Sequence, residues 1–189
     1  MDADQARALL YDYFSLLFRP TREEVSFLTE LPARLSPTGE DSFDQALAAV
    51  KESLSTVSPE EIIAEYEYLF IEPFEGPHIP LEASYYLDGK AFGPALAELR
   101  AFLAQEGLFK EEGIPEPEDH LALLLAFMAA LIRSEKDLLS QQKLFYNFLR
   151  PCAQGVLKRL TGEKTRVYGP LGRLCEAFLR LEERYFKES

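Results

Sequence analysis

The sequence predicts an all-α protein, a single globular domain of about nine helices without a sheet. Apolar residues recur every three to four positions along most of the chain, which is the period of a helix buried on one side. Prolines, glycines and capping residues separate these stretches. No stretch shows the alternation of a strand. A chain of 189 residues can bury its own core, and we expect one domain over residues 1–189.

Four helices are predicted in the first 70 residues. A capping box at residues 21–24 precedes the second helix. Ser58-Pro59-Glu60-Glu61 starts the fourth, with Pro at the first helical position and Glu at the third. One face of the third helix is apolar and consists of Phe43, Ala46, Leu47, Val50 and Leu54. The four helices are predicted over residues 4–18, 21–32, 42–54 and 58–70.

A proline-rich loop and two helices are predicted in the middle of the chain. Residues 71–80 contain three prolines and a glycine, so they cannot continue the preceding helix. A short helix over residues 81–87 is expected to end at Gly89, and the next begins at Gly93-Pro94 and ends at Gly107.

The helix after the connector at residues 107–116 is preceded by the most informative residues of the chain, Glu116-Pro117-Glu118-Asp119-His120. Pro117 fits the first helical position, so Glu118 and Asp119 are expected in the first turn, where the helix dipole favours negative charge. One interpretation of these five residues is therefore a well-formed helix start. It does not explain why a histidine follows the acids and precedes the apolar run Leu121–Leu131.

Three helices are predicted after Arg133. Asp137 is a plausible cap for the first, and Pro151 is expected to break the helical pattern. The predicted ranges are 137–149, a second helix that ends at residue 160, and 168–186.

The net charge of −12 comes from the middle third of the chain. Residues 60–120 contain 15 acidic and 3 basic residues, whereas residues 1–59 have a net charge of −5 and residues 121–189 of +5. Solvated helix faces explain part of this excess. An acidic surface also attracts cationic partners and repels nucleic acid, so we expect no nucleic-acid binding.

The two cysteines and two histidines fit no metal-binding pattern. Cys152 and Cys175 lie in amphipathic patterns, which favours core thiols, and a disulfide or redox pair is the alternative. A tetrahedral zinc site would need all four residues, including His78 in the proline-rich loop and His120, so we expect no structural metal and no cofactor.

The N-terminal residues and the apolar runs argue against export and membrane insertion. Asp2 and Asp4 stand where a signal peptide would carry basic residues. The longest apolar run, residues 121–132, is too short to span a bilayer. We therefore expect a cytoplasmic protein without stable membrane insertion.

Three motifs occur in a fixed order. A Tyr-x-x-Leu-Phe segment is present at residues 66–70, a proline-rich loop leads into Ser84-Tyr85-Tyr86, and the Glu-Pro-x-Asp-His box follows at residues 116–120. In this set, from about Tyr66 to Leu131, the chain resembles the TorD/DmsD/NarJ family of cytoplasmic chaperones. Many relatives carry acids four and six residues after the histidine, where this chain has Leu124 and Ala126, so any role of those acids is absent here.

The resemblance implies a fold, a function and partners. The fold is a helical TorD-like domain with a hinge loop before the Asp-His helix, here residues 107–116, through which some relatives exchange segments. The function is to bind the twin-arginine signal peptide or the apoprotein of a molybdenum-containing oxidoreductase, to assist cofactor insertion and to proofread before export. The partners are that signal peptide and the catalytic subunit, and the chain is expected to be a monomer or a domain-swapped dimer.

A peptide site for such a client needs carboxylates for its arginines and an apolar groove. The resemblance implies that Pro117, Asp119 and His120 border this site. Its predicted acidic members are Glu72, Glu116, Glu118 and Asp119, its predicted walls are Leu69, Phe70, Tyr85 and Tyr86, and Ser84 belongs to the same motif. Helical spacing favours a core position over a groove position for Tyr66, Phe70 and Phe127.

The sequence offers little for catalysis. Asp119 and His120 are adjacent, and adjacent helical residues point about 100° apart, so they do not form an oriented acid–base pair. No nucleophile elbow, Walker loop or dinucleotide fingerprint is present. A hydrolase that uses carboxylates is a remote alternative, and nucleotide binding is unsupported. The main alternative function is an assembly factor that acts on the folded catalytic subunit without a leader peptide.

Overall fold

A computed structural model describes residues 2–72, 74, 78–163 and 165–188. Within these residues the chain forms nine continuous helical segments and no β-strand, which confirms the predicted all-α class. The helices are α1 (Ala3–Leu17), α2 (Val25–Arg34), α3 (Asp41–Leu54), α4 (Pro59–Tyr66), α5 (Ala83–Asp88), α6 (Pro94–Glu106), α7 (Leu121–Arg133), α8 (Leu138–Leu144), α9 (Arg150–Leu160) and α10 (Tyr168–Glu188). π-Helical turns extend α4 over Glu67–Ile71 and join α8 to α9 over Phe145–Leu149.

Predicted capping residues begin or end the helices α4, α5, α6 and α8. Ser58 and Glu61 form the reciprocal capping box of α4, with Pro59 at the first helical position. Asp137 caps α8 by accepting a hydrogen bond from the backbone N–H of Ser140. Gly89 and Gly107 end α5 and α6 with φ of 75° and 72°, a left-handed conformation that favours glycine.

Several predicted boundaries are wrong. The second helix was predicted over residues 21–32 behind a capping box, but α2 starts at Val25 after Glu24, which makes no side-chain cap, and it continues past Pro32 to Arg34. The motif helix α7 starts at Leu121 with His120 as its N-cap, so Pro117 is not its first residue and Asp119 is not in its first turn. Pro151 lies inside α9 and does not break the helix. In the π turn before it, the N–H of Arg150 donates to the carbonyl of Phe145, five residues back. This wider turn accommodates a proline ring that would crowd the carbonyls of a regular helix.

The chain divides into two compact units, and the first contains the described residues of 2–18 and 80–155. Its centre is the pair α1 and α7. The Ser15 hydroxyl donates to the carbonyl of Ala122 at 2.8 Å, and Arg133 forms an ion pair with Asp12. The first half of α7 is buried almost all round, which fits its unbroken apolar sequence.

The second unit contains the described residues of 19–79 and 156–188. Here α3 packs on α10, and α2 packs on both α3 and α4. All five residues of the predicted apolar face of α3 are buried. Glu65 on α4 accepts hydrogen bonds from the N–H groups of Arg166, Val167 and Tyr168, so one carboxylate covers the start of α10.

Both cysteines are free and buried, as the core interpretation predicted. The proline-rich loop is only partly described, because Pro73 and residues 75–77 lie outside the described residues. Among the described helices, none combines the length and the hydropathy that a membrane span requires. The prediction of a single domain over residues 1–189 stays a prediction.

Candidate functional site

Two of the three motifs meet in the first unit as a short stretch of paired backbone. The N–H of Ala83 donates to the carbonyl of Asp119 at 2.9 Å, and the N–H of Leu121 donates to the carbonyl of Leu81 at 2.7 Å. Glu82 and His120 thereby form an isolated antiparallel bridge. Residues 118–119 form a turn, in which the N–H of His120 donates to the carbonyl of Pro117 at 3.0 Å, and His120 itself is extended, with φ −63° and ψ 135°. The helix therefore begins only at Leu121.

Asp119 is fully buried and takes part in this pairing with its side chain as well. Its exposed fraction is 0%, and its Oδ2 accepts a hydrogen bond of 2.8 Å from the N–H of Ser84. Within the described residues, neither Asp119 Oδ1 nor the Ser84 hydroxyl has a hydrogen-bond partner. The carboxylate therefore joins the Ser-Tyr-Tyr motif to the Asp-His motif rather than facing solvent.

His120 is the cap of α7. Its exposed fraction is 5%, and its Nδ1 accepts a hydrogen bond from the N–H of Ala122 at 3.3 Å. A nitrogen that accepts a hydrogen bond carries no proton, so the ring is used as an imidazole cap in the way that Ser or Asp is used elsewhere.

Glu118 has a partner of opposite charge, whereas Glu116 is contacted through its backbone carbonyl and its Oε2 is buried without a hydrogen-bond partner among the described residues. Arg100 of α6 donates from Nε and Nη2 to Glu118 Oε2, at 2.9 and 2.7 Å. Desolvation is the largest single effect and raises the pKa of Glu118. The hydrogen bond and charge of Arg100, the backbone N–H of Glu118 and the charge of Lys110 together outweigh it, so this pKa lies below its ordinary value. Lys110, in the connector, donates to the backbone carbonyl of Glu116 at 2.7 Å and so links the connector to the motif.

Tyr85 and Tyr86 form a half-buried aromatic pair with ring centroids 5.2 Å apart. The Tyr86 hydroxyl donates to the carbonyl of Pro80 at 2.7 Å. The ring of Tyr86 lies against Gly155, where a Cβ would stand 2.1 Å from Tyr86 Cδ1. Only a glycine leaves room for the tyrosine at this distance.

Leu69, Phe70 and Glu72 belong to the second unit, so the structure does not place the predicted peptide site within one unit. Leu69 and Phe70 are buried, and the Phe70 ring lies 5.3 Å from that of Tyr66 and 5.4 Å from that of Tyr168. These contacts agree with the core interpretation of Phe70. Glu72 is exposed, and Pro73 lies outside the described residues.

Three residues that sequence reasoning missed support the motif region. Arg100 and Gly155 are separated from their partners by many residues, and no periodic signal connects them. Cys152 lies below the paired backbone, with Sγ 3.5 Å from the carbonyl oxygen of Leu81. Burial raises the pKa of the Cys152 thiol well above its ordinary value, and the charges of Asp119 and Glu82 add to this. The thiol is therefore a packing group and not a nucleophile.

The site offers backbone pairing, a buried carboxylate and half-buried aromatics. Asp119 and His120 each accept a hydrogen bond from a backbone N–H group. No group of three or more metal-ligating side chains occurs among the described residues.

Comparisons with known proteins point to one family. The family model described as nitrate reductase delta subunit matches residues 38–153. The chaperone protein TorD of Shewanella loihica is 26% identical over 95% of this chain and 92% of its own length. TorD of Shewanella sp. strain ANA-3 is 30% identical over 72% of this chain and 71% of its own length.

A further relative and a solved structure agree with these matches. The Haemophilus influenzae protein named as a Tat proofreading chaperone, DmsD, is 39% identical over 43% of this chain and 41% of its own length. A crystal structure from Archaeoglobus fulgidus, described as a redox enzyme maturation protein, is similar in fold, with a TM-score of 0.57 and 24% identity. It covers 94% of this chain and 93% of its own length.

Proposed function

Because this chain belongs to the nitrate reductase delta subunit family, which includes the TorD and DmsD chaperones, we propose that it acts as a chaperone that binds the twin-arginine signal peptide or the apoprotein of a molybdopterin-containing oxidoreductase. It holds this client while the metal cofactor is inserted and before export. It requires no cofactor of its own and carries out no reaction. It works in the cytoplasm, where such a client is made.

The observation that carries this proposal is the family match over residues 38–153, which contains all three motifs in their order. The named relatives are chaperones and not catalytic enzymes, in agreement with the prediction from the sequence. The acidic excess of residues 60–120 supports a cationic client, since a twin-arginine leader combines basic residues with an apolar stretch.

The motif residues of the first unit fall into a buried group and a half-buried group. Asp119, His120 and Ser84 are buried and hold two backbone segments together. Pro117, Glu116, Glu118, Tyr85 and Tyr86 are half-buried and provide the surface that this buried group shapes. We assign the contact with the client to this half-buried set. Leu69 and Phe70 are buried in the second unit and are left out of it, and of the predicted members in that unit only Glu72 is exposed.

The connector before α7 is the segment from which we infer the oligomeric state. Gly107 and Gly113 both have positive φ there, so the chain reverses direction at two points that glycine permits. We propose that the chain is a monomer or a dimer that exchanges segments through residues 107–116.

Co-purification tests the proposed function. The tagged chain is expressed in its native host together with a candidate client, once with the leader intact and once with the leader deleted. Recovery of the intact client alone supports leader capture. Equal recovery of both forms would replace it with an assembly factor that acts on the catalytic subunit, and recovery of neither would overturn the chaperone proposal for that client.

A further inference from the structure

A cleft in the second unit lies outside the three motifs. It has a volume of about 250 Å³, and it lies between the start of α2 and the outer face of α4. Its walls include Val25, Ile63 and Ala64, and its rim carries Arg22, Glu60 and Glu67. Cavities that hold small-molecule ligands usually measure about 300–1,000 Å³, so this cleft fits one long side chain rather than a cofactor.

The π turn that follows α4 begins at Glu67 on the rim of the cleft and carries two exposed large side chains. The N–H of Glu72 donates to the carbonyl of Glu67, five residues earlier, at 2.8 Å. Ile71 and Glu72 therefore lie one helical turn after Glu67. Ile71 is 54% exposed, and its neighbour Tyr68 is 45% exposed. Large apolar side chains that lie together on a surface indicate an interaction site.

The acids of this segment differ in what they contact. Glu61 forms an ion pair with Arg166, and Glu65 accepts a hydrogen bond from the backbone N–H of Tyr168 at the start of α10. By contrast, Glu67 and Glu72 are exposed and have no ion-pair partner within the described residues. Glu67 therefore offers a free carboxylate beside an apolar cleft.

Glu60 and Arg22 complete the charges that face the cleft. Hydrogen bonds from its own backbone N–H and from Ser58 lower the pKa of Glu60, and the charge of Arg22 contributes to this. Arg22 is exposed and is the only basic residue among those that line the cleft. An incoming cation would compete with it for Glu60.

We propose that this cleft and the adjoining Ile71 surface form a second contact for the client leader, in which an arginine of the leader enters the cleft between Glu60 and Glu67 while apolar leader residues lie on Ile63 and Ile71. The proposal rests on the proposed function, since it names the same client. A guanidinium donates paired hydrogen bonds to a carboxylate, and its apolar stem packs against Val25 and Ile63. The contact is specific to a segment that is basic and apolar at once.

Titration calorimetry with a synthetic peptide of two arginines followed by twelve alternating leucines and alanines tests the charges. We expect Glu67→Gln to weaken binding about two- to fivefold, as for a partly exposed ion pair. Glu52→Gln is the matched control, because it removes an exposed acid from α3 of the same unit and should leave the affinity unchanged. Arg22→Ala should tighten binding, since it removes the competing cation.

The apolar part is tested by Ile71→Asp, with Leu139→Asp as its control. The two residues are similarly exposed, at 54% and 58%, so neither variant should change the melting temperature. We expect only Ile71→Asp to weaken peptide binding, by about tenfold.

The outcomes separate this proposal from the proposed function. Wild-type protein that does not bind the peptide would contradict leader capture itself, and the second contact with it. Normal binding by Glu67→Gln and Ile71→Asp, with Arg22→Ala no tighter, would overturn the second contact alone. Loss of self-association in Ile71→Asp, measured by sedimentation at unchanged peptide affinity, would assign the surface to a second copy of the chain and would also overturn it.

Discussion

The carboxylate of Asp119 accepts a hydrogen bond of 2.8 Å from the backbone N–H of Ser84, 35 residues earlier in the chain. The same two segments pair through the backbones of Ala83 and Asp119. The relationship makes Asp119 a structural link between two motifs, and it explains why an acid precedes the capping histidine.

We expect Asp119→Ala to lower the free energy of unfolding by about 1.5–3 kcal/mol, because it leaves a buried N–H without its charged acceptor. Asp119→Asn keeps an acceptor oxygen and should cost less. Urea denaturation monitored by circular dichroism measures both. Folded Asp119→Asn should bind a leader peptide within about twofold of wild type, since the carboxylate is 0% exposed. Strongly weakened binding at unchanged stability would instead make Asp119 a direct contact.

The ion pair between Arg100 and Glu118 predicts a modest dependence of stability on pH. The pKa of Glu118 is lowered in the folded chain, so the pair stabilises above the ordinary carboxyl pKa and is lost as pH falls through the lowered value. We therefore expect the unfolding free energy of wild type to fall more than that of Glu118→Gln on going from pH 5 to about pH 3. The difference should stay below about 1 kcal/mol, because the Arg100 side chain is 55% exposed. If the unfolding free energies of wild type and Glu118→Gln fell by the same amount between these pH values, the ion pair would contribute nothing to stability.

Gly155→Ala should destabilise the first unit, although alanine normally favours a helix. The new Cβ would stand 2.1 Å from Tyr86 Cδ1, so the ring must leave its position, at a cost of about 1–3 kcal/mol. Gly172→Ala is the control, since its Cβ would meet only leucine methyl groups at 3.3 Å or more. Thermal melts compare the two. Tyr86→Ala should remove most of the penalty of Gly155→Ala, and equal penalties in both backgrounds would contradict the contact.

Glu65→Ala should destabilise the second unit by about 1–3 kcal/mol, because three backbone N–H groups at the start of α10 lose their acceptor. Glu67→Ala, two residues further on, provides the contrast. Its side chain is exposed, and no substantial change is expected. Chemical denaturation distinguishes the two, and similar values would show that water replaces the carboxylate of Glu65.

Sequence signals over a few neighbouring residues were sufficient to predict most of the helices. The Ser58-Pro59-Glu60-Glu61 box, the helix stops at Gly89 and Gly107, and the apolar face of α3 each depend on residues a few positions apart. The same signals misplaced the start of α7. Pro117 and two acids fit a first turn, but the backbone of residues 119–121 pairs with residues 81–83, a contact that no local pattern contains.

The motifs of the candidate site could be recognised from the sequence, but the contacts of their residues could not. The ordered motifs identified Ser84 and Asp119, yet their hydrogen bond required the fold to bring them together. Arg100 belongs to none of the motifs. Its partner Glu118 was expected to bind an arginine of the client instead. Leu69 and Phe70 were predicted as walls of the site and are buried, whereas Tyr68 and Ile71, which flank them in the sequence, are exposed. A π turn changes which residues of a helix face outward, and its position was not evident from the sequence.

Calorimetric titration of the wild-type chain with the leader peptide of its client tests leader capture itself. We expect measurable binding at low salt that weakens as ionic strength rises to about 0.15 M, where charges are screened over roughly 8 Å. An apolar part of the affinity should remain at that salt concentration. The same peptide with both arginines replaced by glutamine should bind more weakly and with less dependence on salt. Absence of binding to the leader, while the client without its leader binds, would contradict leader capture and leave the assembly factor as the function of this chain.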